Sequence, residues 1–263
     1  MTATEPLTQA QLEAGLRALG VEDGMALEVH SSLSSFGPVA GGAATVIAAL
    51  QRVVGSEGAI VMPAFPLSRE LPLTEADLEH GIVLKLAVLQ PDAPCRTGMG
   101  VIADTFRQRP DVVVGHGFHR LCAWGRDAEE HSKGFCRLLD VGGRALLLGV
   151  DIHRLSAMHH AESRAGGVPA AVRACFAAGE DLARTYPRDH WYVEVGSTPQ
   201  DGWAKVQEEA VRRGLVRERL IGAARCLLMP VTEVIGIYEH ALRTDPYGLF
   251  GIDPADVVAA SDW

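Results

Sequence analysis

The 263-residue chain is 48% hydrophobic and 22% charged, and its formal net charge is −9. This composition excludes collagen, coiled-coil and disordered chains, and a core of this size needs no disulfide or metal to fold. The acidic balance argues against a general nucleic-acid or membrane surface and favours a cationic ligand.

Cellular location is predicted from three negative features of the sequence. The five cysteines have no CxxC spacing, the first residues lack a signal-peptide pattern, and no apolar run reaches the length of a membrane span. We therefore expect a cytoplasmic protein that does not interact with membranes.

The first part of the chain predicts a parallel α/β unit. Residues 8–19 form a helix between an N-cap at Thr8 and a stop at Gly20. A strand at 25–30, a helix at 43–54 and a strand at 58–65 follow. Strand, helix and strand in close succession are typical of a parallel sheet.

The stretch 66–97 is interrupted by prolines, and only a short piece near 74–80 has a helical pattern. Such a stretch is typical of a substrate-side insertion, and a plain surface excursion is the alternative.

The remainder of the chain continues the α/β pattern. Strands are predicted near 112–114, 120–124, 143–150, 170–177, 190–195 and 223–228. Helices are predicted near 99–108, 127–139, 155–165, 202–213 and 231–243. The Asp-, Pro- and Gly-rich tail is predicted to be extended. The predicted fold is therefore α/β, a single domain over residues 1–263 with a central mixed or parallel sheet flanked by helices.

Two polar clusters follow predicted buried strands. His30 and the serines after it end the strand at 25–30, and His159-His160-Ala161-Glu162 comes one helix start after the strand at 143–150. In open α/β sheets, ligands bind at the carboxyl ends of the strands. Both clusters are therefore candidate site segments.

His159 and Glu162 share one face of the predicted helix because they are three residues apart, whereas His160 points elsewhere. An imidazole beside a carboxylate can act as a general base. A surface ion pair without function is the alternative.

The hydroxyls and backbone amides after His30 can bind an anion or stabilise an oxyanion. The segment has no G-x-S-x-G pattern, so it gives little support to a covalent serine mechanism. Glycines 37, 41 and 42 precede a helix, as in phosphate-binding loops. A polar turn with a core-capping histidine is the alternative.

A metal site is not predicted. His116, His119, His30, His159 and His160 are numerous enough for one, but no H-E-x-x-H or similar ligand spacing is present. A metal-dependent hydrolase is kept as a third alternative for the function.

Five segments in order resemble the antibiotic N-acetyltransferase family, whose best-known members are the aminoglycoside 3-N-acetyltransferases. They are VHSSLSSFGPVAGGAATVIAAL (29–50), VMPAF (61–65), MGVIADTFRQRP (99–110), HGFHRLCAWG (116–125), and LLLGV (146–150) followed by HHAE (159–162). The resemblance covers roughly residues 8–243.

The resemblance implies acetyl transfer from acetyl-coenzyme A to an amine of a small cationic substrate such as an aminoglycoside, conferring antibiotic resistance. It implies neither a metal nor a covalent enzyme intermediate. His159 and Glu162 fall on the catalytic dyad, and His30 is a third catalytic candidate that either polarises the carbonyl, shapes the pocket or holds the pantetheine. The residues expected to hold coenzyme A are Ser31, Ser32, Leu33, Ser34, Phe36, Val39, Thr97 and Met99. The carboxylates expected to face the cationic substrate are Glu162, Glu70, Asp77 and Asp151.

The sequence departs from common members of this family after VMPAF, where it reads PLSRELPLTEADLEHGIV, and at Gly117 and Arg120. These departures concern the acceptor more than the reaction. The alternatives are therefore the same chemistry on a non-antibiotic amine, and a non-catalytic protein that binds coenzyme A or sequesters an antibiotic.

Overall fold

A computed structural model describes residues 5–89, 97–164, 180–196 and 199–253. The chain is divided into two compact units. The first comprises Met1–Phe65, Met99–Ser156 and Ala210–Val234, and the second comprises Pro66–Gly98, Ala157–Glu209 and Ile235–Trp263. That residues 1–263 act as a single domain stays a prediction.

A seven-stranded mixed sheet forms the centre of the first unit. Its strands are β1 (Ala26–Ser31), β2 (Ala59–Pro63), β4 (Val113–Val114), β5 (Leu121–Gly125), β6 (Arg144–Leu148), β8 (Arg217–Ile221) and β9 (Ala224–Pro230), in the spatial order β4-β5-β2-β1-β6-β9-β8. Strand β1 is parallel to both β2 and β6, whereas β5 and β9 are antiparallel to their neighbours β2 and β6. The carboxyl ends of β1, β2 and β6 therefore lie at one edge of the sheet.

Helices cover the sheet of the first unit. They are α1 (Gln9–Leu19), α2 (Gly42–Val54), α4 (Val101–Arg107), α5 (Ala128–Ser132) and α6 (Cys136–Asp140), with short 3₁₀ helices at Leu33–Phe36 and Ile152–Arg154. Helix α1 begins with a capping box between Thr8 and Gln11 and ends at Gly20, whose φ is +106°. The apolar faces of α1 and α2 pack into one core with the side chains of β1.

The second unit contains a two-stranded antiparallel sheet of β3 (Ile82–Ala87) and β7 (Trp191–Val195). Its helices include α3 (Glu75–Glu79), α7 (Ala157–Arg164), α8 (Glu180–Thr185) and α11 (Pro246–Phe250). Most of α9 (Pro199–Arg212) and α10 (Val231–Thr244) also belongs to this unit.

The α/β class and the central mixed sheet flanked by helices are confirmed, and β1 and β2 are parallel as predicted. Four local predictions are corrected. The irregular stretch 66–97 contains β3, the helix at 127–139 is two short helices separated near Gly134, β8 was not predicted, and the tail includes helix α11. The strand predicted at 170–177 lies outside the described residues.

In the part of the chain that the structure describes, no helix is both long and apolar enough to cross a membrane.

Candidate active site

His159 and Glu162 form a hydrogen-bonded pair on α7. The Nδ1 atom of His159 lies 3.2 Å from Oε2 of Glu162, and the side chains are 30% and 18% exposed. An ionised carboxylate only accepts hydrogen bonds, so Nδ1 carries the proton of a neutral imidazole. Nε2 then has the free lone pair, which is the arrangement that a general base needs.

Tyr238 on α10 completes the environment of Glu162. Its hydroxyl donates to Oε1 of Glu162 at 2.9 Å. Burial, and then the negative charge of Glu162, raises the pKa of Tyr238, so the phenol stays protonated and remains a donor. The ring of Trp203 lies edge-on to both His159 and Tyr238, with centroid distances of 5.0 and 6.2 Å.

A second carboxylate lies near this pair in the same unit. The hydroxyl of Tyr192 donates to Oε1 of Glu194 at 2.5 Å, and Glu194 is buried. Burial, followed by the charges of Glu194 and Glu162, raises the pKa of Tyr192. The surroundings of His159 are therefore negatively charged, which suits a cationic ligand.

His160 has different neighbours from His159. Burial and the nearby Arg164 lower the pKa of His160, and Glu239 opposes this effect. Arg164 is itself paired with Glu239 at 3.1 Å. His160 therefore belongs to the charged network between α7 and α10.

In the first unit, His30 lies near the carboxyl end of β1. Its Nε2 is 2.8 Å from Oε1 of Glu28 and 3.3 Å from the backbone nitrogen of Ser156. Both His30 and Glu28 are buried, at 6% and 1% exposure. The sequence analysis did not identify Glu28, although its spacing of two residues from His30 on a strand was a visible signal.

The serine-rich turn after β1 forms the 3₁₀ helix Leu33–Phe36. The backbone N–H of Ser32 donates to the carbonyl of Leu148 at 2.9 Å, and the hydroxyl of Ser35 donates to the carbonyl of Gly149 at 3.0 Å. These bonds tie the turn to the end of β6. The hydroxyls of Ser32 and Ser34 lie 3.1 Å apart.

The apolar residues assigned to coenzyme A contribute mainly to packing. Phe36 is 3% exposed within the core, so its side chain offers almost no surface to a ligand. Leu33, Val39 and Met99 are partly buried and pack against the same core. Thr97 is buried and belongs to the second unit, which the coenzyme A assignment did not anticipate.

Asp77 is buried, although it was expected to face the substrate. Its carboxylate accepts hydrogen bonds from Lys85, from the hydroxyl of Tyr186 and from the backbone of Thr74. These donors, Lys85 first, hold the pKa of Asp77 well below its ordinary value of 3.8. The geometry favours a structural role for this carboxylate over contact with a substrate.

The other predicted substrate carboxylates have surroundings of their own. Glu70 is exposed. Asp151 is half-buried in the first unit and pairs with Arg225 at 2.8 Å. Their role towards a substrate stays a prediction.

The histidines considered for a metal site do not converge among the described residues. His116 and His119 are exposed, and the ring of His119 packs edge-on against Phe65 and Phe118 at 5.2 and 5.0 Å. Across 5–89, 97–164, 180–196 and 199–253, no group of three or more His, Cys, Asp or Glu side chains could hold a metal ion.

Comparison with known proteins identifies the family. The model of the aminoglycoside 3-N-acetyltransferase family matches residues 29–243. The prophage-derived aminoglycoside N(3')-acetyltransferase-like protein YokD of Bacillus subtilis is 30% identical, over 90% of this chain and 93% of that protein. An aminoglycoside N(3)-acetyltransferase III of a Salmonella species is 28% identical, over 87% and 88% of the two chains.

Solved structures show the same fold. The apoenzyme of aminoglycoside acetyltransferase AAC(3)-IVa superposes with a TM-score of 0.71 at 22% identity, covering 98% of this chain and 99% of that chain. The predicted resemblance is confirmed, as is the prediction of an enzyme of this type. The chain belongs to the aminoglycoside 3-N-acetyltransferase family.

Proposed function

We propose that this enzyme transfers the acetyl group of acetyl-coenzyme A to an amino group of an aminoglycoside or a similar aminated sugar. The observation that carries the proposal is the hydrogen-bonded pair of His159 and Glu162 in a chain of this family. Two solved relatives support the choice of substrates: AAC-IIIb is a binary complex with CoASH, and variants of AAC(3)-IVa bind apramycin and a gentamicin.

His159 acts as the general base in this proposal. A protonated amine is not a nucleophile, so Nε2 of His159 removes a proton as the amine attacks the thioester carbonyl. Glu162 orients the imidazole through Nδ1 and compensates the positive charge that it gains. General-base catalysis of this kind contributes a factor of about 10²–10⁴ to the rate.

The transfer balances without a further reactant. The new N–C bond forms while the carbonyl π electrons move to oxygen, and the resulting oxyanion then collapses as the C–S bond breaks. The thiolate of coenzyme A leaves and takes the proton held by the His159 imidazolium. The enzyme returns to its starting protonation state.

The turn after β1 is proposed to hold the thioester end of acetyl-coenzyme A. The amide of Ser32 is already bonded to Leu148, so the hydroxyls of Ser31, Ser32 and Ser34 are the donors that remain for the oxyanion or a phosphate. The loss of a single oxyanion donor costs about 10²–10³ in rate. The role of His30 in this segment is addressed by its pairing with Glu28.

The acceptor is proposed to be a small polycation. Glu162 and Glu194 give the site a negative field, and the net charge of −9 has the same sign. No metal is invoked at any step.

The direct experiment measures free-thiol release from acetyl-coenzyme A with a panel of aminoglycosides, with and without a chelator. Chelator-insensitive release with at least one aminoglycoside is the expected result. Release only with other amines would move the acceptor to a non-antibiotic compound, and tight aminoglycoside binding without release would indicate sequestration. Activity that a chelator abolishes would favour the hydrolase alternative and contradict the proposal.

A further inference from the structure

We propose that Tyr238 is a positioning residue of the candidate active site, whose hydroxyl fixes the Glu162 carboxylate in the orientation that His159 requires. This inference rests on the proposed roles of His159 and Glu162. It adds a residue that the sequence did not indicate, 76 positions away from its partner.

The carboxylate of Glu162 is held at both of its oxygens. Tyr238 donates to Oε1 at 2.9 Å, while Oε2 lies 3.2 Å from Nδ1 of His159. A histidine–carboxylate pair three residues apart on a half-exposed helix face is weak by itself, because long side chains lose entropy when they are held in one geometry. A second contact from another helix removes this freedom.

Tyr238 is rigid enough to serve this purpose. Its side chain is fully buried, and its ring packs against Trp203, which is 1% exposed. Because Trp203 also contacts the ring of His159, the same indole supports both partners of Glu162.

Helix α10 is in addition tied to α7 by charge. Glu239, the residue after Tyr238, pairs with Arg164 at 3.1 Å, and Arg243 donates to the carbonyl of Arg164 at 3.3 Å. The two helices thus meet at the active-site face of α7 through Tyr238 and at its end through Glu239. Tyr238 is placed by this packing and not by Glu162 alone.

The phenol is also a permanent donor. Burial and the adjacent carboxylate raise the pKa of Tyr238, so its hydroxyl keeps its proton at every pH at which the enzyme would work. It therefore does not compete with His159 for the proton of the amine, and its effect must pass through Glu162.

The test is a double-mutant cycle of Tyr238→Phe, Glu162→Gln and the double variant, with Tyr186→Phe as the matched control. Tyr186 also donates to a buried carboxylate in the same unit, that of Asp77, and its ring packs against Trp191 and Lys85. Thermal unfolding and circular dichroism establish that each variant is folded.

For Tyr238→Phe, we expect kcat to fall about tenfold, the rate equivalent of one ordinary hydrogen bond, with KM for acetyl-coenzyme A within about twofold of wild type. The double variant should be no slower than Glu162→Gln, because the phenol acts through that carboxylate. The control should stay within about twofold of wild type. A kcat within twofold of wild type for Tyr238→Phe, or effects of the two changes that multiply, would overturn the proposal.

A second readout does not depend on turnover. In protein labelled with ¹⁵N-histidine, the ring N–H resonance of His159 is assigned by its loss in His159→Gln. Tyr238→Phe should shift or broaden this resonance and Tyr186→Phe should not; an unchanged resonance in Tyr238→Phe would overturn the proposal. If the wild-type enzyme acetylates no amine, the proposed function fails, and this spectrum still decides whether Tyr238 positions the pair.

Discussion

The imidazole Nε2 of His30 lies 2.8 Å from Oε1 of Glu28, and both side chains are buried on one face of β1. The backbone N–H of Ser156 also points at this nitrogen, at 3.3 Å. One ring nitrogen cannot donate and accept at once, and the shorter contact indicates that Nε2 carries a proton and donates to Glu28. In the neutral ring, Nδ1 is then the nitrogen available to a ligand.

Replacing Glu28 should therefore destabilise the first unit even though no ligand is involved. Glu28→Leu leaves the buried Nε2–H of His30 without this acceptor, and we expect a loss of about 2–3 kcal/mol in the free energy of unfolding. Glu28→Gln keeps an acceptor oxygen and should lose about 1 kcal/mol. Urea denaturation measures both.

Glu57→Gln is the matched control for this experiment. Glu57 is 74% exposed and pairs loosely with Arg126 at 3.6 Å, so its replacement should change the stability by less than about 0.5 kcal/mol. Wild-type stability of Glu28→Leu would show that the His30–Glu28 contact contributes nothing.

The adjacent histidines of α7 provide an internal comparison for the catalytic assignment. His159→Gln should lower kcat by about 10²–10⁴, because the amine then has no base, while coenzyme A affinity stays nearly unchanged. His160→Gln alters the neighbour that interacts with Arg164 and Glu239, and its kcat should stay within about threefold of wild type. Steady-state kinetics and calorimetric titration of coenzyme A measure these effects. Equal losses in the two variants would assign the effect to helix α7 as a whole and contradict the role of His159.

Two glycines with similar backbone conformations separate strain from crowding at the end of β6. Gly149 has φ +71° and Gly142 has φ +66°, both in the left-handed region. A Cβ on Gly149 would lie 2.3 Å from Cβ of Ser35, whereas a Cβ on Gly142 meets nothing within 4 Å. Gly142→Ala should therefore cost about 1–2 kcal/mol from backbone strain alone, and Gly149→Ala should cost more.

Gly149→Ala should also weaken coenzyme A binding, since Ser35 is bonded to the carbonyl of Gly149 and would be displaced with the turn that contains it. Urea denaturation and coenzyme A titration of both variants test this expectation. Equal stability losses for the two glycines, with unchanged coenzyme A affinity, would mean that the turn adapts to the added methyl group.

Local signals account for most of the fold that could be predicted. The capping residue Thr8 and the stop at Gly20 delimit α1 to within one residue. Strand β3 was missed because prolines surround it and its partner β7 lies about a hundred residues later in the chain. Strand β8 was missed because four of its five residues are exposed, which leaves no apolar alternation to detect.

The same division holds for the candidate site. The spacing of His159 and Glu162 is local and was visible in the sequence, and their hydrogen bond is present in the structure. Tyr238 and Trp203 come from other helices, and a buried aromatic residue on an apolar helix face has the same sequence pattern whether it supports a site or only fills the core. Likewise, nothing local indicated that Lys85 would neutralise Asp77.

The burial of Asp77 predicts how the second unit responds to acid. Its pKa is lowered by Lys85, the Thr74 backbone and Tyr186, so the carboxylate contributes stability above its ordinary pKa of 3.8 and loses that contribution as the pH falls below it. Asp77→Asn should be clearly less stable than wild type at pH 6, because the amide cannot pair with the Lys85 ammonium as a charge. The difference should shrink as the pH is lowered towards 3, because the wild type alone loses the charged pair.

Urea midpoints of wild type and Asp77→Asn, measured between pH 6 and pH 3, give this difference directly. Glu57→Gln serves again as the exposed control, and its small difference from wild type should stay nearly constant over the same range because the Glu57–Arg126 pair is in solvent. A gap between Asp77→Asn and wild type that does not narrow in acid would show that the ionised form of Asp77 is not what stabilises the fold. The hydrogen bonds of its oxygens from Thr74 and Tyr186, which an asparagine oxygen can also accept, would then account for its burial.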